Sequence, residues 1–362
     1  MEAVCREAVG HGAAQQIARA LAQRLEVARQ LAEAPHAPSQ EPAYAAVAAA
    51  MDEALASLER LHLPPDQRPA AVQVLWSIAG AWLRRGWLQT RAWTKPRGYA
   101  GDYELLAAIF HHRLSDDPLG GLLDRYFQSQ AAPQAVRNRM ALASTWIRQT
   151  VQATWAAAPG PADKLDEGSI LTTALPHTSE ARSQQRTKVA IIGSATGLEV
   201  RQALRALPAS VREGLEVILL DYDPAALAHA QHVLSGWLPA EHLRTAATNL
   251  ARLPRRHAAW EHAPCDLVLV PGLLDYLGDS AAAALIAWGY AQLVAGGRLV
   301  VFQFAPHNPP RPYMEWIGDW RLIYRDREEL AALARDAGLS DLCFEIGAEP
   351  LGVDLYLSVV RP

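Results

Sequence analysis

A short apolar run rich in β-branched residues, Val189 to Ile192, meets Gly193 and Gly197 and gives way to the helical-looking stretch Leu198 to Leu207. This is the pattern of a strand, a tight turn and a helix. Glycine in such a turn has no Cβ and tolerates positive φ, so a ligand can approach the backbone closely. About two dozen residues further, Leu215 to Asp221 reads as a second strand ending in an acid, with a helix starting at Pro224. An acid at that tip is placed to accept hydrogen bonds from a ribose diol. Many strand-to-helix turns carry two glycines and bind nothing; Asp221 is what makes this pair a candidate nucleoside site.

From Lys188 onward, strands and helices alternate. Strands are predicted at Val189–Gly193, Glu216–Asp221, Leu243–Ala247, Asp266–Pro271, Arg298–Phe304, Leu342–Ile346 and Leu355–Val360. Helices are predicted at Leu198–Leu207, Pro224–Trp237, Ser280–Val294 and Arg327–Ala337. Such alternation predicts a mainly parallel α/β sheet covered on both faces. Two strands close together after the final helix imply that the last one inserts antiparallel.

Residues 1–158 read as a separate helical domain. Ile17, Leu21, Leu25 and Ala28 recur at helical spacing, and Val47, Met51, Leu55 and Leu58 line one face of a helix over Tyr44–Leu63. Asp66 is a candidate cap for a helix over Arg68–Leu88, and Arg137–Ala158 is another amphipathic helix. Residues 159–186, poor in large apolar types and rich in Pro, Gly, Ser and Thr, read as a flexible linker, with the sheet domain over 187–362.

The chain has 362 residues and a formal net charge of −4, which gives no electrostatic case for nucleic acid or an anionic membrane as partner. Cys5, Cys265 and Cys343 show no metal-like spacing and are odd in number, so neither a metal site nor a disulfide framework is expected. Charges near the N-terminus and the absence of a bilayer-length apolar run point to a cytoplasmic protein. A small-molecule substrate is the expected partner, and a homodimer is admitted.

The segment Trp93–Glu104 breaks the helical pattern, packing two basic residues, two tyrosines, an acid and two glycines into a loop. In the plainer reading Asp102 is an N-cap and the glycines serve the backbone. In the functional reading the loop lies over a ligand, with Arg97 and the tyrosine hydroxyls on its polar groups.

The order of these motifs resembles the class I S-adenosylmethionine-dependent methyltransferases. More narrowly, the chain resembles the bacterial extracellular factor (3-hydroxypalmitic acid methyl ester) biosynthesis family. Three stretches carry the narrower likeness: Thr94–Glu104 (TKPRGYAGDYE), Asp266–Leu277 (DLVLVPGLLDYL) and Met314–Arg325 (MEWIGDWRLIYR). The resemblance covers roughly Arg91 to the C-terminus. It implies a seven-stranded Rossmann-like methyltransferase sheet with its last strand antiparallel, preceded by a helical lid or substrate domain. Three departures stand out. The superfamily has an acid where this chain has Ile191, and a middle glycine where it has Ala195. The family also has a histidine after the fifth strand where this chain has Ala305, with His307 two residues on.

Carried onto this sequence, the resemblance implies S-adenosyl-L-methionine as cofactor. Gly193, Ser194 and Gly197 should line its methionine part, Asp221 its ribose, and Tyr222 and Asn249 its adenine. Pro271 and Gly272 should face the reacting methyl group. Glu199 is a candidate for the role of the missing acid, and Arg97 and Tyr99 are candidate contacts from the loop. Tyr103, Tyr276, Trp316, Trp320, Tyr324 and Arg325 are candidates for the substrate pocket. Trp316, Trp320 and Tyr324 recur at i+4, however, and can equally form one buried helix face. Tyr99, Asp275 and His307 are the candidates for a catalytic role; Asp275 as a cap and His307 as an exposed loop residue stay open.

Methyl transfer from a sulfonium is an in-line displacement in which charge disappears, so it needs alignment and a dry pocket more than acid–base help. The resemblance implies O-methylation of a carboxylate on a small or acyl acid, oriented by Arg97 or Arg325. An N-, S- or hydroxyl-directed methyltransferase of a secondary metabolite is the alternative, as is a non-enzymatic partner-binding protein of the same fold.

Overall fold

The structure is a computed structural model that describes residues 2–34, 39–157, 186–255 and 264–362. It divides into two compact units: Met1–Arg137 with His307–Leu322, and Asn138–Pro306 with Ile323–Pro362. The division therefore does not fall at residue 158. Most of the helix before the sheet belongs to the sheet unit, and a segment following the fifth strand belongs to the helical one. The linker expected over 159–186 lies almost wholly outside the described residues. Among the described residues no helix is long and apolar enough to cross a membrane.

In the helical unit, α1 (Glu2–Ala32) packs on α2 (Glu41–Glu59) and α3 (Arg68–Leu83). Leu21, Leu25 and Ala28 are buried, as are Val47, Met51, Leu55 and Leu58, so the periodic apolar stripes do form the core. The expected single helix over Arg68–Leu88 is two, α3 and α4 (Trp87–Thr94). The break is stabilised from a distance: the buried Asp124 carboxylate accepts from the Trp87, Leu88 and Ser115 backbone N–H groups at 2.9–3.2 Å, satisfying the open donors of α4. Asp66 is not the cap of α3; Gln67 holds that position, with Pro in the first turn and no side-chain cap. After α5 (Tyr103–Phe110) and α6 (Pro118–Gln128) comes α7 (Ala131–Ala157), which runs from this unit into the next.

Residues 307–322 complete the helical core. Tyr313 stacks on Phe127 with ring centroids 4.9 Å apart, and Trp76 Nε1 donates to the Ile317 carbonyl at 3.0 Å. The aromatic run is not one helix face, since only the π turn Tyr313–Ile317 is helical. Asp319, at φ +43°, ends the run before Trp320. Trp316 and Trp320 are nonetheless buried.

The sheet unit has strand order β3-β2-β1-β4-β5-β7-β6. Its strands are β1 (Thr187–Ile192), β2 (Leu215–Asp221), β3 (Leu243–Ala247), β4 (Cys265–Val270), β5 (Leu293–Phe304), β6 (Phe344–Ala348) and β7 (Asp354–Val360). The first five are mutually parallel, and β7 inserts antiparallel between β5 and β6. This is the seven-stranded Rossmann-like sheet expected of the methyltransferase class. Alternation sorts the side chains by face. Val189, Ile191, Val217 and Leu219 pack with Ala143, Ile147 and Val151 of α7 and with α8 (Leu198–Arg205). Ala190, Ile192, Val268 and Val270 face the opposite layer, which includes the helix Asp279–Ala291. Ile191 is thus a fully buried core residue.

Candidate functional site

Parallel strands leave their ligand crevice at the carboxyl edge, where the order reverses between β1 and β4. There Gly193, Ala195 and Gly197 adopt φ of +75°, +40° and +64°. The Gly193 and Ser194 N–H groups donate to the Leu220 carbonyl at 2.8 and 3.2 Å, which seats the turn against β2. A Cβ on Gly197 would lie 3.1 Å from Ala230 Cβ, so that glycine also serves helix packing. Ala195 is the residue that strains: a left-handed alanine costs about 1–2 kcal/mol over glycine, more than its one extra methyl suggests.

Asp221 holds this turn. Its Oδ2 accepts from the Ala195 N–H and its Oδ1 from the Asp223 N–H, both at 2.9 Å. Burial raises its pKa, with these N–H bonds pulling the other way. Each carboxylate oxygen keeps a second lone pair for a ligand hydroxyl. Beside it Tyr222 is 64% exposed, an open aromatic surface. The Thr248 N–H donates to the Asp221 carbonyl at 2.8 Å, which brings the exposed Asn249 alongside.

On the other side of β1, Gly272 after β4 adopts φ +82°, and a Cβ there would sit 2.8 Å from Arg139 Nη1. The guanidinium of Arg139 therefore lies on the Gly272 backbone. Its Nη1 donates to Asp354 Oδ2 at 2.8 Å, and both residues are buried. Asp354 stands opposite Phe304 in the β5–β7 register, at the same edge of the sheet. Asp275 Oδ1 accepts from the Phe304 N–H and from Gln303 Nε2, each at 2.8 Å. One arginine thus faces three buried carboxyl groups. Burial raises all three: Glu199, in the first turn of α8, goes up to about 7, and Asp275 and Asp354 rise with Arg139 opposing the shift.

Among the described residues, four buried polar atoms in this region have no hydrogen-bond partner: Ser194 Oγ, Glu199 Oε1, Arg139 Nε and Asp354 Oδ1. Buried polar atoms in proteins are mostly hydrogen-bonded, so these four are positions where a ligand's polar groups can be received. A hydroxyl, an acid and a base beside a glycine turn fit a zwitterionic amino-acid group, and the Asp221 tip with Tyr222 fits a nucleoside. The residues present therefore suit S-adenosylmethionine, although Ile191 offers it nothing.

The structure brings Gly193, Ser194, Gly197, Glu199, Asp221, Tyr222, Asn249, Pro271, Gly272 and Asp275 into one unit at one edge. Arg325 is not available to a substrate. It is buried, and its donors are spent on Asp279, Gln303 and the Leu274 and Leu277 carbonyls. Tyr276 and Tyr324 stay in the sheet unit, the first 41% exposed. Arg97, Tyr99, Tyr103, Trp316, Trp320 and the exposed His307 belong to the helical unit. There Asp102 caps α5, accepting from the Leu105 N–H at 3.0 Å and from Arg91 Nε, and Arg97 donates to the Tyr103 hydroxyl at 3.1 Å. Arg139 and Asp354 escaped the sequence reading. The signal was present for Arg139, which sits at i+4 spacing ahead of Ala143, Ile147 and Val151, a charge on an apolar stripe.

No protein-family model and no curated protein matches the chain. Among solved structures, a possible exported protein from Bordetella parapertussis is 15% identical, covers 98% of this chain and 97% of its own, and superposes with a TM-score of 0.52. An O-methyltransferase family protein from Burkholderia thailandensis is 16% identical over 64% of this chain and 60% of its own, with a TM-score of 0.38. The magnesium protoporphyrin IX methyltransferase of Synechocystis, solved with bound SAH, is 16% identical over 63% of this chain and 87% of its own, at 0.34. What the first of these shows is the fold.

Proposed function

We propose that the chain is an S-adenosylmethionine-dependent methyltransferase acting on a carboxylate oxygen of a small or acyl acid. The observation that carries the cofactor is the juxtaposition of the left-handed Gly193–Gly197 turn, the Asp221 tip and the orphaned polar atoms Ser194 Oγ, Glu199 Oε1 and Arg139 Nε. When bound, S-adenosylmethionine supplies a methyl group activated by its sulfonium. The chain's own part is to hold and dry it. Asp221 accepts from the ribose hydroxyls, Tyr222 offers its ring to the adenine, and the buried Val270, Phe304 and Ala305 at the ends of β4 and β5 exclude water. Alignment in a water-poor pocket is what such a displacement requires. The carboxylate acceptor rests on the narrower resemblance to the extracellular factor family, and a carboxylate needs no base because it is already ionised at neutral pH.

One observation favours a second reading. Asp354 and Asp275 lie at the same strand edge with raised proton affinity, and such a group suits removal of a proton from a hydroxyl or amine acceptor. The two readings separate by the pH profile of methyl transfer. Transfer to a carboxylate stays level from pH 6 to 8, whereas transfer that needs a base rises through neutrality.

Calorimetric titration with S-adenosylhomocysteine tests the cofactor. Wild-type protein binds it, and Asp221→Asn weakens binding by about 2 kcal/mol, the scale of a lost charged hydrogen-bond pair. A circular dichroism spectrum shared by the two proteins separates this from collapse of the turn that Asp221 ties to Ala195. No binding by the folded wild type overturns the reading.

A further inference from the structure

We propose that Glu199 and Arg139 form a paired clamp for the α-amino-acid end of the sulfonium nucleoside, Glu199 taking the ammonium and Arg139 the carboxylate. This rests on the cofactor reading above and says which residues replace the acid lost at Ile191. Four observations carry it.

Ile191 is fully buried in the apolar layer against α7 and α8, so no polar group can be offered from that position. Glu199 follows the turn after β1, and the Arg139 guanidinium rests on Gly272 after β4, the neighbouring strand. An acid and a base thus flank the reversal point of the sheet from α8 and α7. Each keeps an atom unpartnered among the described residues, Glu199 Oε1 and Arg139 Nε, on a residue no more than 5% exposed. Ser194 Oγ, in the turn that follows β1, is likewise without a partner among the described residues. Finally, the balance of charge selects the ligand. Arg139 is shared among Glu199, Asp275 and Asp354. A ligand bearing a carboxylate alone would compete with Asp354 for the guanidinium. A zwitterion brings a cation for the excess acid together with an anion for the arginine. Asp275 Oδ1 already accepts from Gln303 and the Phe304 N–H, whereas Glu199 Oε1 accepts from no group among the described residues.

The proton balance of Glu199 gives the clamp its own readout. The charged group that faces it is Arg139 from α7, with the Thr196 hydroxyl of its own turn also easing ionisation. Since burial raises Glu199 to about 7, part of the population carries its proton at pH 7. An ammonium seated on it favours ionisation, so binding releases a fraction of a proton.

The experiment is calorimetry at pH 7 in two buffers of different ionisation enthalpy, with four probes. These are S-adenosylhomocysteine, 5′-methylthioadenosine, which lacks the amino-acid end, and S-adenosylmethionine beside its decarboxylated analogue. Wild type is expected to prefer S-adenosylhomocysteine over methylthioadenosine by roughly ten-fold or more, with proton release on the first only. Glu199→Gln removes most of that preference and the proton release, while methylthioadenosine affinity stays within about two-fold. Arg139→Met combined with Asp354→Asn, which removes both members of the buried pair, loses the preference for S-adenosylmethionine over the decarboxylated analogue. If that double variant does not fold, Arg139→Lys replaces it and shows the same preference reduced. Retention of full preference and proton release in Glu199→Gln overturns the clamp, and so does wild type binding methylthioadenosine as tightly as S-adenosylhomocysteine. Failure of every adenosyl probe, methylthioadenosine included, overturns the cofactor reading and the clamp together.

Discussion

Arg139→Met is expected to cost about 3–5 kcal/mol of stability at pH 8, the range for stripping one partner from a buried ion pair. Denaturation in urea followed by circular dichroism measures it. The loss arises because Asp354, wholly buried, keeps one carboxylate oxygen on Arg139 and the other without a partner among the described residues. Without the guanidinium, the pKa values of Glu199, Asp275 and Asp354 rise further, since Arg139 is what lowers them. A folded state that binds more protons than the unfolded chain loses stability as pH rises. The deficit of the variant is therefore smaller at pH 5 than at pH 8. Asp354→Asn in the same background recovers most of it, because the orphaned charge goes with its partner. A deficit equal at both pH values would trace instead to lost packing of the guanidinium on Gly272 and Phe304.

That arginine also marks where the sequence stops being readable. The central strands β1, β2 and β4 were legible because each holds a short run rich in Val, Ile or Leu, and they fall within a residue or two of their expected limits. The glycine turn and Asp221 were legible because a nucleoside site of this kind is local: two strand tips, each followed by a helix. Arg139 and Asp354 lie 215 positions apart, and nothing near either one in sequence announces the other. Their pairing exists only once β7 inserts beside β5 and α7 covers that face. The segment after β5 failed for the opposite reason. The i+4 spacing of Trp316, Trp320 and Tyr324 is a true helical period, but the π turn and the left-handed Asp319 interrupt it, so two core tryptophans share no helix. Arg325 was read as a substrate ligand by residue type. Its fork of donors is instead filled by carbonyls and side chains of the β4–β5 region, a role that type alone does not distinguish.

Glu199→Gln is expected to change the pH dependence of stability rather than only its level. In the folded chain burial lifts Glu199 from an ordinary 4.5 to about 7, an interval equivalent to about 3 kcal/mol. Its favourable contribution is complete below pH 4.5 and is lost as pH rises through about 7, because the folded state holds the proton that the unfolded chain releases. Glutamine has no such titration, so the stability of the variant relative to wild type grows by about 3 kcal/mol between pH 4 and pH 8. Melting curves at three pH values across that interval measure it, and parallel curves for the two proteins would refute it. At pH 8, then, wild type tolerates a buried, half-satisfied carboxylate that a single isosteric change would relieve. Retaining a group at a cost in stability is what a ligand-binding role predicts. The same substitution that steadies the empty protein is expected to loosen its hold on the amino-acid end of the cofactor. If the variant gained stability and lost no ligand discrimination, the burial of Glu199 would have no functional explanation.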